Sequence, residues 1–360
     1  EKPGAPTVAN AICNSSAQTQ GGALGGSVFF GHSRLGASVS SYSSNYGTVA
    51  EDAVTIGMRS TRAALEWDVD QLTGWFQNVK VRASQTDYQH TEYEGEEAGT
   101  VFNNKGNDLR ISARHAKLGA WEGVLGLQSE AVSFSADGTE AFAPYSRTRQ
   151  NAVFAFEELP LSWGRFSLGA RLESVQVESD GNPLVSRFVA ASRSFQPRSL
   201  ALGTLWNAAP GWQLTSNLAD SERAPKDYEL FADGPHIATH AYEVGNSQAV
   251  VEQSSNLDLG AQWKQGANTF RLSTFVNQFT NYLSLQTTGV LRDTDGNGAA
   301  GVGVADSGMG QSVESDGTAD TLPEYVYTQV PARFTGIEAS GKLRLLEAGQ
   351  TLDLELQGDW

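Results

Sequence analysis

The residues best suited to binding a metal cation gather in one stretch of this sequence. Two of its five histidines, His236 and His240, lie within residues 221–246, SERAPKDYELFADGPHIATHAYEVGN, among prolines, glycines and acidic side chains. Neutral imidazole is a common ligand for zinc and other transition metals. A solvated loop histidine is the plainer account of each, and residue type alone does not choose between the two. No period of 2 or 3.6 runs through the stretch, so a long irregular connection is expected, and such loops are usually functional or disordered. A second candidate is Asp293-Thr-Asp-Gly-Asn-Gly298, which places Asp293, Asp295 and Asn297 like the first ligands of a calcium loop. Its twelfth position is Val304 instead of the bidentate Glu, so a Gly/Asp-rich surface loop accounts for it better than a calcium site.

Other chemistries are excluded more firmly. No nucleophile elbow, P-loop or dinucleotide fingerprint occurs, and no enzyme is read here. The formal net charge of −16 argues against nucleic acid, which requires a basic footprint. Acidic residues concentrate in the long polar stretches, among them Glu92, Glu94, Glu96, Glu97, Asp137, Glu140, Asp180, Asp233, Asp295 and Asp306. They suit a solvated loop surface and equally a negative funnel that raises the local concentration of cations. The single Cys13 allows no intrachain disulfide.

The elements that must position these residues read as strands. Phe166, Leu168, Ala170 and Leu172 alternate with polar neighbours, as do Leu257, Leu259, Ala261 and Trp263, and Leu352, Leu354 and Leu356. Alternation with one polar face is the half-buried strand signal. Many strands carry charges on that polar face that the sequence leaves without evident partners. No apolar run approaches the ~20 residues of a spanning helix, but a membrane β-barrel alternates and needs none.

Connection lengths alternate too. Short turns are expected near residues 33–35, 70–74, 117–120, 160–164, 208–211, 264–268 and 346–350. Longer polar stretches fall near 46–53, 92–106, 136–147, 179–198, 221–250 and 286–323. One rim of tight turns and one of large loops is the asymmetry of outer-membrane barrels. Trp67, Trp75, Trp121, Trp163, Trp206, Trp212 and Trp263 all lie near short turns, as an interfacial aromatic girdle would place them. The expectation is an all-β, transmembrane antiparallel barrel with about fourteen strands represented, many longer than the ~9–11 residues a bilayer requires. A soluble β-barrel or propeller with core tryptophans is the alternative.

The blocks Glu222-Arg-Ala-Pro, Gly234-Pro-His236, Glu243-Val-Gly-Asn246 and Glu252-Gln-Ser-Ser-Asn256 resemble the barrel of TonB-dependent outer-membrane receptors. Supporting segments are Tyr42-Ser-Ser-Asn-Tyr-Gly47, Tyr88-Gln-His-Thr-Glu92, Phe102-Asn-Asn-Lys-Gly106 and Arg333-Phe-Thr-Gly-Ile-Glu338, so the resemblance runs from about Gly25 onward. Gly-Pro-His and Tyr-x-His-x-Glu narrow it to the zinc-uptake branch. The resemblance implies a Gram-negative outer-membrane barrel of 22 strands filled by an N-terminal plug. Residues 1–360 would then be a central part of the barrel, with the plug and the last strands outside it. It implies Glu92 and His236 as barrel ligands of transported zinc, completed by the plug, with His90 and His240 as subsidiary candidates. His32 and His115 are expected to be structural. The implied partners are the TonB energy-coupling complex, a metal ion or chelate, and outer-membrane lipid including lipopolysaccharide. A siderophore, haem or other chelate as cargo, a passive porin-like channel, and a surface adhesin barrel remain alternatives.

Overall fold

The structure, a computed structural model, describes residues 12–49, 53–138, 141–236, 239–293 and 321–360. The chain opens with β1 (Ala17–Phe30), β2 (Ser33–Gly47), β3 (Val54–Val69), β4 (Phe76–Glu94), β5 (Glu97–His115), β6 (Glu122–Asp137), β7 (Tyr145–Leu161) and β8 (Gly164–Gly181). β9 (Ala190–Phe195) and β10 (Arg198–Ala209) pair with successive parts of β8, so they act as one strand interrupted at Gln196-Pro197. Proline lacks the N–H that a ladder needs, which fits an interruption there. After β11 (Trp212–Arg223) come a short helix α1 (Asp227–Phe231) and a small hairpin, β12 (Asp233–His236) and β13 (Ala241–Val244). β14 (Glu252–Gln265), β15 (Asn268–Asp293), β16 (Thr321–Ala348) and β17 (Gln350–Asp359) complete the chain.

Each wall strand pairs antiparallel with the next, and β11 pairs directly with β14 across the inserted segment. With β9 and β10 taken as one and the hairpin set aside, the wall has the fourteen strands expected. Among the described residues β1 pairs with β2 and β17 with β16, with no register between β1 and β17.

Register converts alternation into two faces. Leu35 lies opposite Trp67, Leu65 opposite Ala83, Ile111 opposite Leu127, Val153 opposite Leu172 and Leu202 opposite Leu218. These side chains form one continuous apolar face, and most of the large ones are exposed. A soluble monomer avoids an apolar face of such extent, whereas a lipid-facing wall requires one.

That face has an upper limit. Exposed Gln85, Asn107, Ser129, Asn151 and Ser174 follow one another across β4 to β8, about seven to ten residues from the short-turn ends of their strands. This matches the height of an apolar band about 25 Å tall. Above it the outward positions carry charges such as Asp87, Lys105 and Arg149.

Six of the seven short turns fall where the sequence placed them, at residues 70–75, 116–121, 162–163, 210–211, 266–267 and 349, and the first lies at 31–32, just before the expected 33–35, which belong to β2. Positive φ at Gly211 and Gly266 lets two of these turns close within two residues. The seven tryptophans lie at that rim. Two connections are corrected: the stretch near 92–106 is no loop, because β4 and β5 stay paired to a turn at residues 95–96, and the stretch near 179–198 contains β9, paired with β8. The inner face is corrected as well, because its charges are largely paired. Glu66 takes Arg82 at 2.8 Å and Lys80 at 3.2 Å and also pairs with Arg34, while Asp68 takes Lys80 at 3.4 Å.

Well-buried apolar side chains lie on the inner face near the long-loop rim, where the segment after β11 folds inward. Leu230 of α1 joins Val175 and Val177 of β8, Phe195 of β9 and Leu283 of β15. Phe102, Ala136, Ala141 and Phe188 form a second cluster.

Candidate functional site

The segment between β11 and β14 is held by a salt-bridged anchor. Arg223 ends β11 and forks between two buried carboxylates, reaching Glu229 at 2.8 and 3.1 Å and Glu252 at 3.1 Å through both of its oxygens. Glu229 also accepts the Lys226 N–H at 2.6 Å, and Glu252 accepts the Leu283 N–H at 2.7 Å. Bidentate arginine pairs of this kind are among the stronger polar contacts. They account for the Glu222-Arg-Ala-Pro and Glu252-Gln-Ser-Ser-Asn blocks as structural elements.

From this anchor the chain runs through α1 into the β12–β13 hairpin. The Phe142 carbonyl accepts the Asp233 N–H at 2.9 Å. Arg187 Nη2 donates to the Ala141 carbonyl at 2.7 Å, and Arg187 Nε donates to the Asp233 carbonyl. The Tyr242 hydroxyl donates to Asp233 Oδ1 at 2.9 Å. Gly234 faces Phe142 so closely that a Cβ there would lie 2.6 Å from the Ala141 carbonyl oxygen and 2.8 Å from Phe142 Cα. β13 then runs parallel to β16, pairing Glu243 with Tyr325.

His236 is the last residue of β12. Its ring stacks on Phe142 with centroids 4.3 Å apart and planes 5° from parallel. Its Nδ1 donates to Glu243 Oε1 at 2.8 Å, and the Tyr327 hydroxyl donates to Glu243 Oε2 at 3.2 Å.

Across the inner face, β4 brings Tyr88, His90 and Glu92 to the same side. His90 stacks on Phe102 of β5 at 4.4 Å, Tyr88 meets His90 edge-on at 5.6 Å, and Phe102 lies 6.1 Å from Phe142. Five rings therefore run from Tyr88 through His90, Phe102 and Phe142 to His236. His90 and Glu92 stand fourteen and sixteen residues along β4 from its short-turn end, beyond the apolar band.

These polar groups are poorly satisfied. Glu92 is only 5% exposed yet has no hydrogen-bond or ion-pair partner among the described residues. Burial pushes its carboxyl above the usual carboxylate range, and His236 pulls partly the other way. His90 Nδ1 is buried without a partner among the described residues. Burial, and then proximity to His236, lowers the His90 ring to about 4, so it is neutral at physiological pH.

The structure thus places His90 and Glu92 on one face of β4, where His236 acts electrostatically on each of them. Glu92 lies within β4, two residues from its end and close to a tight turn, instead of at the mouth of a long loop. His240 is exposed in the hairpin connection, with a left-handed φ of 51°. His32 lies in the β1–β2 turn, and His115 contacts Glu157 at 2.9 Å near the opposite rim. Residues 294–298 of the calcium-like motif lie outside the described residues. No group of three His, Cys, Asp or Glu poised to hold a metal occurs among the described residues. His90, Glu92 and His236 do not by themselves form such a group.

Sequence reasoning missed Glu243, Tyr327, Phe102 and Phe142 as site residues. Only Glu243 carried a signal, a spacing of seven from His236 that becomes a contact once the hairpin closes.

Comparison with known proteins places these features in context. The sequence pattern of a family described as TonB dependent receptor-like, beta-barrel matches residues 13–360. Among solved structures, a copper transporter, OprC, superposes with a TM-score of 0.72 at 14% identity, over 97% of this chain and 55% of that one. The Serratia marcescens hemophore receptor HasR, solved with its hemophore HasA and heme, gives 0.70 at 13% identity, over 96% and 54%. The FrpB iron transporter of Neisseria meningitidis gives 0.63 at 11%, over 95% and 51%. The chain spans about half the length of each.

Proposed function

The chain belongs to the TonB-dependent receptor-like β-barrel family, whose members are outer-membrane barrels, and from that premise we propose that it forms the barrel part of a receptor for zinc uptake. The observation that carries the proposal is Glu92: a carboxylate 5% exposed and without a partner among the described residues, beside neutral His90 and within electrostatic reach of His236. A nearly buried carboxylate without a hydrogen-bond partner is costly, and a cation in its vicinity would offset that cost. Imidazole and carboxylate together suit zinc, which takes about four ligands.

On this reading Glu92 and His236 are the barrel ligands and His90 is a subsidiary donor. The remaining donors come from a plug domain of the full-length receptor. Movement of that plug by the TonB complex would dismantle the ligand set and release the cation. Acidic loop residues would draw cations toward the site.

The ring series supports a second reading, in which the cargo is a metal chelate with a flat face. Phe102 and Phe142 already stack planar partners, and the similar structures include a copper transporter and a receptor solved with heme.

Calorimetry on the full-length receptor separates the readings, with iron, nickel, copper and haem as competitors against zinc. His236→Ala and Glu92→Ala are each expected to weaken zinc binding about tenfold or more, equivalent to about 1.4 kcal/mol. Equal zinc binding by all three proteins would remove the proposed ligands. Preferential binding of a chelate would favour the second reading.

A further inference from the structure

Glu243 is buried and belongs to neither the Arg223 anchor nor the wall network. Both of its carboxylate oxygens are committed, Oε1 to His236 Nδ1 at 2.8 Å and Oε2 to the Tyr327 hydroxyl at 3.2 Å. We infer that Glu243, backed by Tyr327, is a positioning residue that presents Nε2 of His236 as the metal-binding nitrogen; the inference rests on the uptake reading above.

A carboxylate accepts but cannot donate, so the neutral His236 ring must carry its hydrogen on Nδ1. The lone pair then lies on Nε2. A carboxylate behind a ligating histidine fixes its tautomer and ring direction and raises its basicity as a ligand. Phe142 fixes the ring plane by stacking on it, planes 5° from parallel, leaving rotation about the ring normal to be set by Glu243.

The support for Glu243 comes from the wall. β13 lies against β16, where Glu243 pairs with Tyr325, and Tyr327 is two residues further along that strand. Burial, followed by the Glu243 carboxylate, raises the Tyr327 phenol above its ordinary range, so it stays protonated and able to donate. Three elements thus act on one imidazole: Phe142 from the connection after β6 and Glu243 from β13 touch it, and Tyr327 from β16 acts through Glu243.

The first test needs no metal. In full-length receptor labelled with nitrogen-15 at histidine, His236 is expected to carry its hydrogen on Nδ1 in the wild type. Glu243→Ala should shift it toward a mixture of tautomers, whereas Glu243→Gln, which retains an acceptor, should keep most of the bias. The second test is a zinc titration by calorimetry. Glu243→Ala should weaken binding by about tenfold or more, within the range seen when such outer partners are removed. Tyr327→Phe should have a smaller effect, and Glu243→Ala combined with His236→Ala should be no weaker than His236→Ala alone.

An unchanged tautomer in Glu243→Ala overturns the role. So do zinc losses that multiply in the double variant. Glu243→Leu, which keeps the bulk but offers no acceptor, provides the same comparison should the alanine variant unfold. Wild-type protein that binds no zinc overturns the uptake reading itself. Wild-type binding that is indifferent to Glu243 overturns only the positioning role.

Discussion

Two groups of buried acids lie under the same inserted segment, and they are finished to different degrees. At the anchor, Glu229 and Glu252 share the Arg223 guanidinium and each accepts a backbone N–H as well. At the candidate site, Glu92 has no partner and His90 leaves Nδ1 unpaired, each among the described residues. Burial is comparable, with Glu229, Glu252 and Glu92 at 6%, 7% and 5% exposure, so solvation does not explain the difference. A polar network complete within the chain holds structure together. One left short of partners at the same depth calls for a separate explanation, and the uptake reading supplies one.

The comparison can be broken first at the anchor. Arg223→Met leaves two buried carboxylates facing each other and is expected to cost about 3 kcal/mol, by analogy with other buried pairs that lose one partner. Thermal unfolding should show the loss, and protease should cut first within residues 224–251. A silent substitution would mean that the anchor is no more structural than the site.

Next in size is Gly234→Ala. The added methyl collides with the Ala141 carbonyl and with Phe142, so the hairpin must shift, at about 1–3 kcal/mol. Zinc affinity should fall with it while the wall strands keep their circular dichroism, because only the platform of His236 has moved.

At the site the sign reverses. Burial raises the Glu92 carboxyl, so its ionised form costs stability at neutral pH. Glu92→Gln is therefore expected to raise thermal stability by about 1 kcal/mol while zinc affinity falls, the trade-off typical of functional positions. A drop in both would show that Glu92 is held by contacts like those of Glu229.

The last effect is absent at neutral pH and concerns acid. His90 is depressed to about 4 from an ordinary value of 6.5, so in that interval the unfolded chain takes a proton that the folded chain refuses. Stability from this group is present above about 6.5 and is lost as pH falls through about 4. Subtracting the unfolding profile of His90→Phe from that of the wild type should isolate it.

Much of this fold is legible in the sequence because period-2 alternation and turn chemistry are local signals. Leu257, Leu259 and Ala261 declare one face of β14 without help from distant residues, and Ala208-Ala-Pro-Gly211 declares a turn. The same locality explains the failure at residues 92–106. Polar residues on both faces of a strand beyond the membrane look like a loop, although β4 and β5 remain paired through them. The site was legible only in part. His236 and Glu92 stand in recognisable blocks, but Phe142 reaches His236 across 94 positions and Tyr327 reaches Glu243 across 84. Contacts of that span depend on register and inward folding, which no short window encodes. The pairing of charges along the inner wall was missed for a related reason, since Glu66 finds Arg34 and Arg82 on neighbouring strands.

The row of amides and hydroxyls from Gln85 to Ser174 also acts as a waterline. It sets how deeply the wall is immersed, and His90 and Glu92 stand five and seven residues above it on β4. At about 3.3 Å per residue along a strand, that is a freeboard of roughly 16–23 Å before strand tilt is considered. The site is therefore in the province of the aqueous medium. Ionic strength and the acidity of that medium act directly on the approach of a cation, whereas a thicker or thinner bilayer reseats the hull and leaves the site above it dry of lipid.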